Sequence, residues 1–196
     1  MQWEQGAELF LDALSSDKPT PGGGAAAAMV GAMGCALLLM AIGTTLKRKN
    51  TPESHKVLLK QWQEKFSSYQ NELKDLMQKD AQSYASYRAA YQLPPDDSSR
   101  EKALQQALLT ATNVPAEIAS LCRAILKVIG DLEPLIAPVI LSDVRCACHL
   151  LKSGCSCGIE NVRINLKGLT DSKQTEKLNL LLESLEKGDT NGSNPA

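Results

Sequence analysis

From Thr20 to Leu46 the chain carries no charged residue. The stretch opens as Thr20-Pro21-Gly22-Gly23-Gly24, continues as a run of Ala, Gly, Met and Leu, and stops at Lys47-Arg48-Lys49. A segment this long and this apolar has few places to go. It either crosses a bilayer or forms the core helix of a bundle that buries it on nearly every side. Its length suffices for a membrane, and the basic flank suits a cytoplasmic border. Three glycines at the start, a first half rich in Ala and Gly, and the lack of a second such segment favour the buried helix. Ala28, Gly31, Ala32 and Gly34 let neighbouring backbones come close. Close packing has to offset roughly 1 kcal/mol of helix propensity lost at each glycine relative to alanine.

The rest of the chain reads as helices around that one. Residues 2–14 place Trp3, Ala7, Phe10, Leu11 and Leu14 on one stripe. Residues 52–93 form a long helix, with Thr51 as cap and Pro52 in its first turn. Its apolar face is Leu59, Trp62, Phe66, Tyr69, Leu73, Leu76, Asp80, Tyr84, Tyr87 and Tyr91. A carboxylate, Asp80, occupies one position of that face. Further helices are expected over 96–113, 116–129, 139–165 and 169–185. Pro115 either separates two of them or kinks a longer one. No strand periodicity and no internal repeat is visible. The expected fold is all-α: a single domain over residues 1–187, about seven to eight helices around a buried Ala/Gly-rich helix, with residues 188–196 as a disordered tail.

Composition removes several function classes. Net charge is -1 and aromatics are 4%, which argues against a nucleic-acid footprint or a base-stacking platform. Met1-Gln2-Trp3-Glu4-Gln5 has neither a basic nor an apolar leader pattern, so the six cysteines are expected to be reduced thiols of a cytoplasmic protein. Cys146-x-Cys148-His149 and Cys155-x-Cys157 have the wrong spacing for a zinc knuckle, and residues two apart point about 200° apart on a helix, so no metal is expected.

Three features remain that carry chemistry. Gly22-Gly23-Gly24 ahead of a helix can present bare N–H groups to an anion, or can serve as a turn that lets two helices pack. No strand precedes it and no Gly-Lys-Ser/Thr follows, which excludes the common nucleotide loops. Asp80 is costly to bury unless paired, and burial would raise its pKa into the range of a useful acid or base; a structural ion pair is the plainer alternative. Lys47-Arg48-Lys49 can clamp a polyanion, or simply place cations at a helix C-terminus.

Taken in order, these features resemble the formiminotetrahydrofolate cyclodeaminase/methenyltetrahydrofolate cyclohydrolase family. The resemblance rests on Thr20-Pro21-Gly22-Gly23-Gly24-Ala25 with its small-residue helix and basic end, Lys79-Asp80-Ala81 with Tyr84, Asn113-Val114-Pro115, Ser142-Asp143, and Asn161-Val162-Arg163-Ile164-Asn165-Leu166. It covers nearly the whole chain. It implies an all-helical homodimer acting on a tetrahydrofolate derivative, with no cofactor beyond that substrate and no nucleic-acid or membrane partner. The reaction would be either ring closure of a formimino group with loss of ammonia or hydrolysis of the methenyl bridge. The resemblance also implies roles. Asp80 would be the general acid/base, and Asp143 a second carboxylate that orients it or holds the pterin. Gly22, Gly23 and Gly24 would let backbone approach the ligand, and Arg48 and Lys49 would meet folate carboxylates. Ser142, Asn161 and Asn165 would complete the substrate site. The chain departs from the family at Gln78, at Ile136-Ala137-Pro138 and at Glu160, which motivates an alternative: a helical folate-binding or structural dimer without turnover.

Overall fold

A computed structural model describes the backbone of residues 2–190 and the side chains of residues 4–187. Six α-helices follow one another: α1 (Gln2–Ser15), α2 (Gly23–Leu46), α3 (Glu53–Tyr91), α4 (Arg100–Leu132), α5 (Leu141–Leu166) and α6 (Ser172–Thr190). Two short 3-10 turns, Glu133–Leu135 and Pro138–Ile140, join α4 to α5. The all-α class is as expected, but the count is six among the described residues, not seven or eight. The last helix extends to Thr190, and residues 191–196 of the expected tail lie outside the described residues, as does the side chain of Trp3.

The difference in count comes from Pro115, which lies inside α4 without ending it. A proline withholds the N–H that would bond the carbonyl four residues back, here that of Ala111. Asn165 of α5 supplies the missing donor, its Nδ2 giving a hydrogen bond of 2.9 Å to Ala111 O. Gly158 of α5 meanwhile packs on the carbonyl of Pro115, where a Cβ would stand 2.9 Å from that oxygen. The helix passes through its proline because the neighbouring helix satisfies what the proline leaves open.

Helix α2 sits between α3 and α5, with α4 behind it. Its glycines are contact points. A Cβ on Gly31 would lie 2.8 Å from Cys122 Sγ, and one on Gly34 would lie 2.8 Å from Leu151 Cγ. Gly154 of α5 faces the backbone of Ala27 and Gly31. Helices α2 and α5 therefore run antiparallel at close range: Gly23 meets Asn161 at one end, and Thr45 meets Ala137 at the other. Leu38, Ile42, Leu59, Phe66, Leu73, Ile118, Ile125 and Leu151 fill the core between the four long helices. Each such side chain contributes on the order of 1.5–3 kcal/mol by leaving water.

One expectation fails on a single face. Helix α2 is apolar all round but not buried all round: Ala26, Met29, Val30, Met33, Ala36, Leu37, Met40 and Gly43 form an outward stripe that is half-buried or exposed. Met33 and Met40 are 49% and 40% exposed. Hydropathy registers how apolar a helix is, not how many neighbours the chain provides for it. Helix α2 is also the one helix among the described residues long and apolar enough to cross a membrane. Helix α1 forms where its periodicity places it, yet among the described residues it makes no extensive contact with the other helices, and Leu9 and Leu11 stand exposed.

Candidate active site

The N-terminus of α2 has no side-chain cap of its own; Gly22 holds the cap position in extended backbone, just after the cis peptide between Thr20 and Pro21. The group that reaches its first turn comes from another helix. Asp80 of α3 brings its carboxylate against Gly24 and accepts the N–H of Ala25. A Cβ on Gly24 would lie 2.0 Å from Asp80 Oδ1, so glycine at this position is what admits the carboxylate. The glycine entrance of α2 and the Asp80 face of α3 therefore meet. Burial pushes the Asp80 carboxyl above its ordinary range, and the Ala25 N–H opposes that shift.

A cavity of about 360 Å³ opens in front of this pair. Its α2 side is Pro19, Thr20 and Gly22 to Gly24, and its α3 side is Asp80, Ser83, Tyr84 and Tyr87. Leu108 and Ala111 of α4 lie across from them, with Asn161, Ile164 and Asn165 of α5 and then Gly168 closing the far end. Ser83 turns its hydroxyl back on the carbonyl of Asp80 at 2.8 Å, which fixes that turn of α3. Gln105 braces the Gly168 end, donating to Gly168 O and accepting the Thr170 N–H, both at 3.0 Å. Asn161 donates one amide hydrogen to Cys157 O at 2.8 Å and packs on Gly23, leaving its second hydrogen and its carbonyl oxygen for a ligand.

The residues expected to bind or act thus divide in two. Gly22, Gly23, Gly24, Asp80, Asn161 and Asn165 share the cavity. Arg48, Lys49, Ser142 and Asp143 do not. They lie at the opposite end of the α2/α5 pair, roughly 35 Å away along α2 at 1.5 Å per residue. There Ser142 donates to Asp143 at 3.5 Å, and Arg48 and Lys49 are exposed. Within one chain, Asp143 neither orients Asp80 nor reaches this cavity. Asn165 carries a second duty that its motif does not announce, the support of Ala111 below Pro115.

Sequence reading did not single out Ser83, Tyr87, Leu108, Ala111 or Ile164 as lining residues. The signal for the first two was available: positions three, four and seven after Asp80 share its face of the helix. After Asp80 the inward line drifts to Ser83, Tyr87 and Ala90, and Tyr91 turns outward at 59% exposure. The cysteines stay outside the site. Cys35, Cys122 and Cys155 are buried, and burial pushes the Cys35 thiol up to about 12.

A family model described as formiminotransferase-cyclodeaminase matches residues 6–183. The chain belongs to this family. A methenyltetrahydrofolate cyclohydrolase of Methylorubrum extorquens is 35% identical over 186 residues, which cover 91% of this chain and 87% of that protein. A formimidoyltransferase-cyclodeaminase of Rattus norvegicus is 29% identical over 180 residues, and there the chain spans only 33% of the relative's length. Among solved structures, the crystal structure of formiminotetrahydrofolate cyclodeaminase from Thermotoga maritima superposes with a TM-score of 0.82 at 30% identity, covering 91% of this chain and 87% of that one. The match to the two relatives of similar length runs through every element that lines the cavity.

Proposed function

We propose that the chain is an enzyme of folate one-carbon chemistry, acting on methenyltetrahydrofolate as a cyclohydrolase or on formiminotetrahydrofolate as a cyclodeaminase. The observation that carries this reading is the Asp80 carboxylate, raised in pKa by burial and held at the mouth of α2 in a cavity walled by Tyr84 and Tyr87. A cavity of about 360 Å³ holds a bicyclic pterin and its one-carbon bridge, with the tail of the molecule outside. The two tyrosines offer flat apolar faces for the ring system.

Both reactions turn on proton transfer at an amidine-like carbon. In hydrolysis, water adds to the methenyl carbon and loses a proton; the resulting hydroxyl then gives up its own proton as one carbon–nitrogen bond breaks and the leaving nitrogen is protonated, which leaves a formyl group. In cyclodeamination, the second folate nitrogen adds to the carbon of the protonated formimino group and loses its proton, and the leaving amino group gains a proton and departs as ammonia. One carboxylate with a raised pKa can take the first proton and deliver the second. Ionised Asp80 also attracts the positive charge of the methenyl bridge, and does so strongly in a desolvated site. Asn161 supplies amide groups to the pterin edge, and the bare Gly22–Gly23 backbone permits close approach of the ligand.

The same reading makes the protein a cytoplasmic homodimer without nucleic-acid or membrane partners, in keeping with the net charge of -1 and with the apolar face of α2 that the described residues leave half-buried or exposed. No cofactor beyond the folate enters it, and Asp80 remains the proton-transferring group throughout. The test is spectroscopic. The purified chain is mixed separately with methenyl- and formiminotetrahydrofolate, and the methenyl absorbance is followed. Faster loss identifies the cyclohydrolase, and faster gain from the formimino compound the cyclodeaminase. Asp80→Asn should lower turnover by about 10²-fold or more while retaining binding. Tight folate binding with no change in either rate would instead establish the non-catalytic alternative.

A further inference from the structure

Helices α4 and α5 meet along one seam, and its upper half is a wall of the cavity. Four α4 residues carry the seam: Pro115, Ala111, Leu108 and Gln105, spaced three or four apart on one helix face. At the base, a Cβ on Gly158 would stand 2.9 Å from the Pro115 carbonyl oxygen. Next, Asn165 donates to Ala111 O at 2.9 Å. Then a Cβ on Gly168 would lie 2.8 Å from Leu108 Cδ2. The last contact is polar. Gln105 Nε2 donates to Gly168 O, and Gln105 Oε1 accepts the Thr170 N–H, both at 3.0 Å. The first two contacts fall inside α5. The last two fall on the segment between α5 and α6, where no helix fixes the backbone.

We propose that Gln105 is a positioning residue for the reaction. Its amide clamps the backbone from Gly168 to Thr170, and so holds Gly168 against Leu108 as the end wall of the cavity. Gln105 itself does not line the cavity; it acts through those two residues, which do. This rests on the folate reading above.

An amide suits the task. A carbonyl only accepts and a backbone N–H only donates, so gripping both requires one donor and one acceptor on the same group. A carboxylate would offer acceptors alone, and a hydrocarbon neither. The segment also stays attached without the clamp. Leu166 and Leu169 pack against the core on either side of Gly168. Asp171 caps the first turn of α6, its Oδ1 accepting from Lys173 N at 2.9 Å and from Gln174 N at 3.2 Å. What Gln105 adds is the placement of Gly168 and Thr170.

The wall it places is remote from the chemistry. Asn161 packs on Gly23, next to the glycine that admits Asp80, and Gly168 stands seven residues further along. At 1.5 Å per residue that is about 10 Å from the carboxylate end of the cavity. Ligand atoms at the Gly168 end are bound without reacting, so the wall holds ground state and transition state alike. Loosening it weakens binding and leaves the barrier at Asp80 unchanged, which raises KM and spares kcat. A residue that only supported the fold would lower the fraction of active protein instead, and with it the apparent kcat.

Steady-state kinetics on a double-mutant cycle test this. Gln105→Met keeps the length of the side chain and removes both hydrogen bonds. With whichever of the two folate compounds the wild-type chain turns over, its KM should rise about fivefold or more, with kcat within about twofold. Leu108→Ala removes the group through which the clamp acts. In that background Gln105→Met should change KM by less than about twofold, because the two positions are one device. Amide exchange at Thr170 should quicken in Gln105→Met. An unchanged KM, a fall in kcat with KM held, or the full fivefold effect persisting in Leu108→Ala would each overturn the proposal. If Gln105→Met does not fold, Gln105→Glu serves: it keeps the acceptor for Thr170 N and loses the donor to Gly168 O. The same rise in KM is expected, and an unchanged KM overturns the role. A wild-type chain that binds either compound without turnover is judged by Kd in place of KM. One that neither binds nor turns over either compound overturns the folate reading, and this role with it.

Discussion

The two ends of α2 solve different problems with similar parts. At the N-terminal end, Gly24 is glycine because a carboxylate from α3 occupies the space of its side chain. At the C-terminal end, Gly43 has open space around its Cβ position. The N-terminal end is closed by a group from another helix, Asp80. The C-terminal end is closed by Thr45, which donates to Ala41 O at 2.8 Å, accepts the Ala137 N–H at 3.1 Å, and has its own carbonyl bonded by Thr51 Oγ1 at 2.6 Å. One end keeps a raised-pKa carboxylate beside a cavity, and the other ties three chain segments together. Identical residue types therefore carry different duties according to what the neighbouring helix brings.

The contrast is sharpest at its glycines. Gly24→Ala should displace Asp80 and lower turnover by about 10²-fold or more, as loss of a positioned acid/base does. Gly43→Ala should leave turnover intact and raise stability by up to about 1 kcal/mol through helix propensity. Steady-state kinetics and thermal melts on the pair read both effects. Equal loss at the two positions would show that the ends are not functionally distinct.

A smaller effect is expected from the polar braces. Asn165→Ala leaves the Ala111 carbonyl without its donor, and Thr45→Val leaves the Ala137 N–H without its acceptor; each should cost about 1–3 kcal/mol in denaturant unfolding. Only the first borders the cavity, so only the first should also change KM. Adding Pro115→Ala to Asn165→Ala should return part of the loss, because the helix regains its own donor to Ala111.

The smallest effect is a pH dependence. Burial raises the Asp80 pKa, so the folded chain holds that proton more tightly than the unfolded chain. The stability this lends is complete below the ordinary aspartate pKa and is lost as pH rises through the raised value. Asp80→Asn stays neutral. It should melt above the parent near pH 8, with the gap closing as the pH falls below about 4. A gap that widens on acidification would mean that the carboxylate is stabilised by ionic pairing rather than strained by burial.

Much of this was legible in the residues. The charge-free run specified a core helix, and steps of three and four specified α3 with Asp80 on its inner face. The order of the short motifs specified the family. What stayed hidden depended on contacts between helices. Pro115 reads as a breaker because its sequence neighbours cannot show that Asn165, fifty residues on, donates to the carbonyl it orphans. The outward stripe of α2 was hidden because an apolar side chain looks the same in sequence whether or not its own chain covers it. The roles assigned to Arg48, Lys49, Ser142 and Asp143 presupposed one meeting place. Antiparallel α2 and α5 instead carry the motifs at their two ends to opposite poles of the bundle.

The borrowed closure of α2 has an evolutionary consequence. Asp80 is both the proton-transferring group of the proposed mechanism and the acceptor that finishes the first turn of the central helix. A descendant that abandoned turnover would still need something to hold that turn, so drift would erode the tyrosines and Asn161 before it erased the carboxylate. Persistence of Asp80 in a silent lineage would then mark inherited architecture, and the surrounding walls would be the better record of whether chemistry continued.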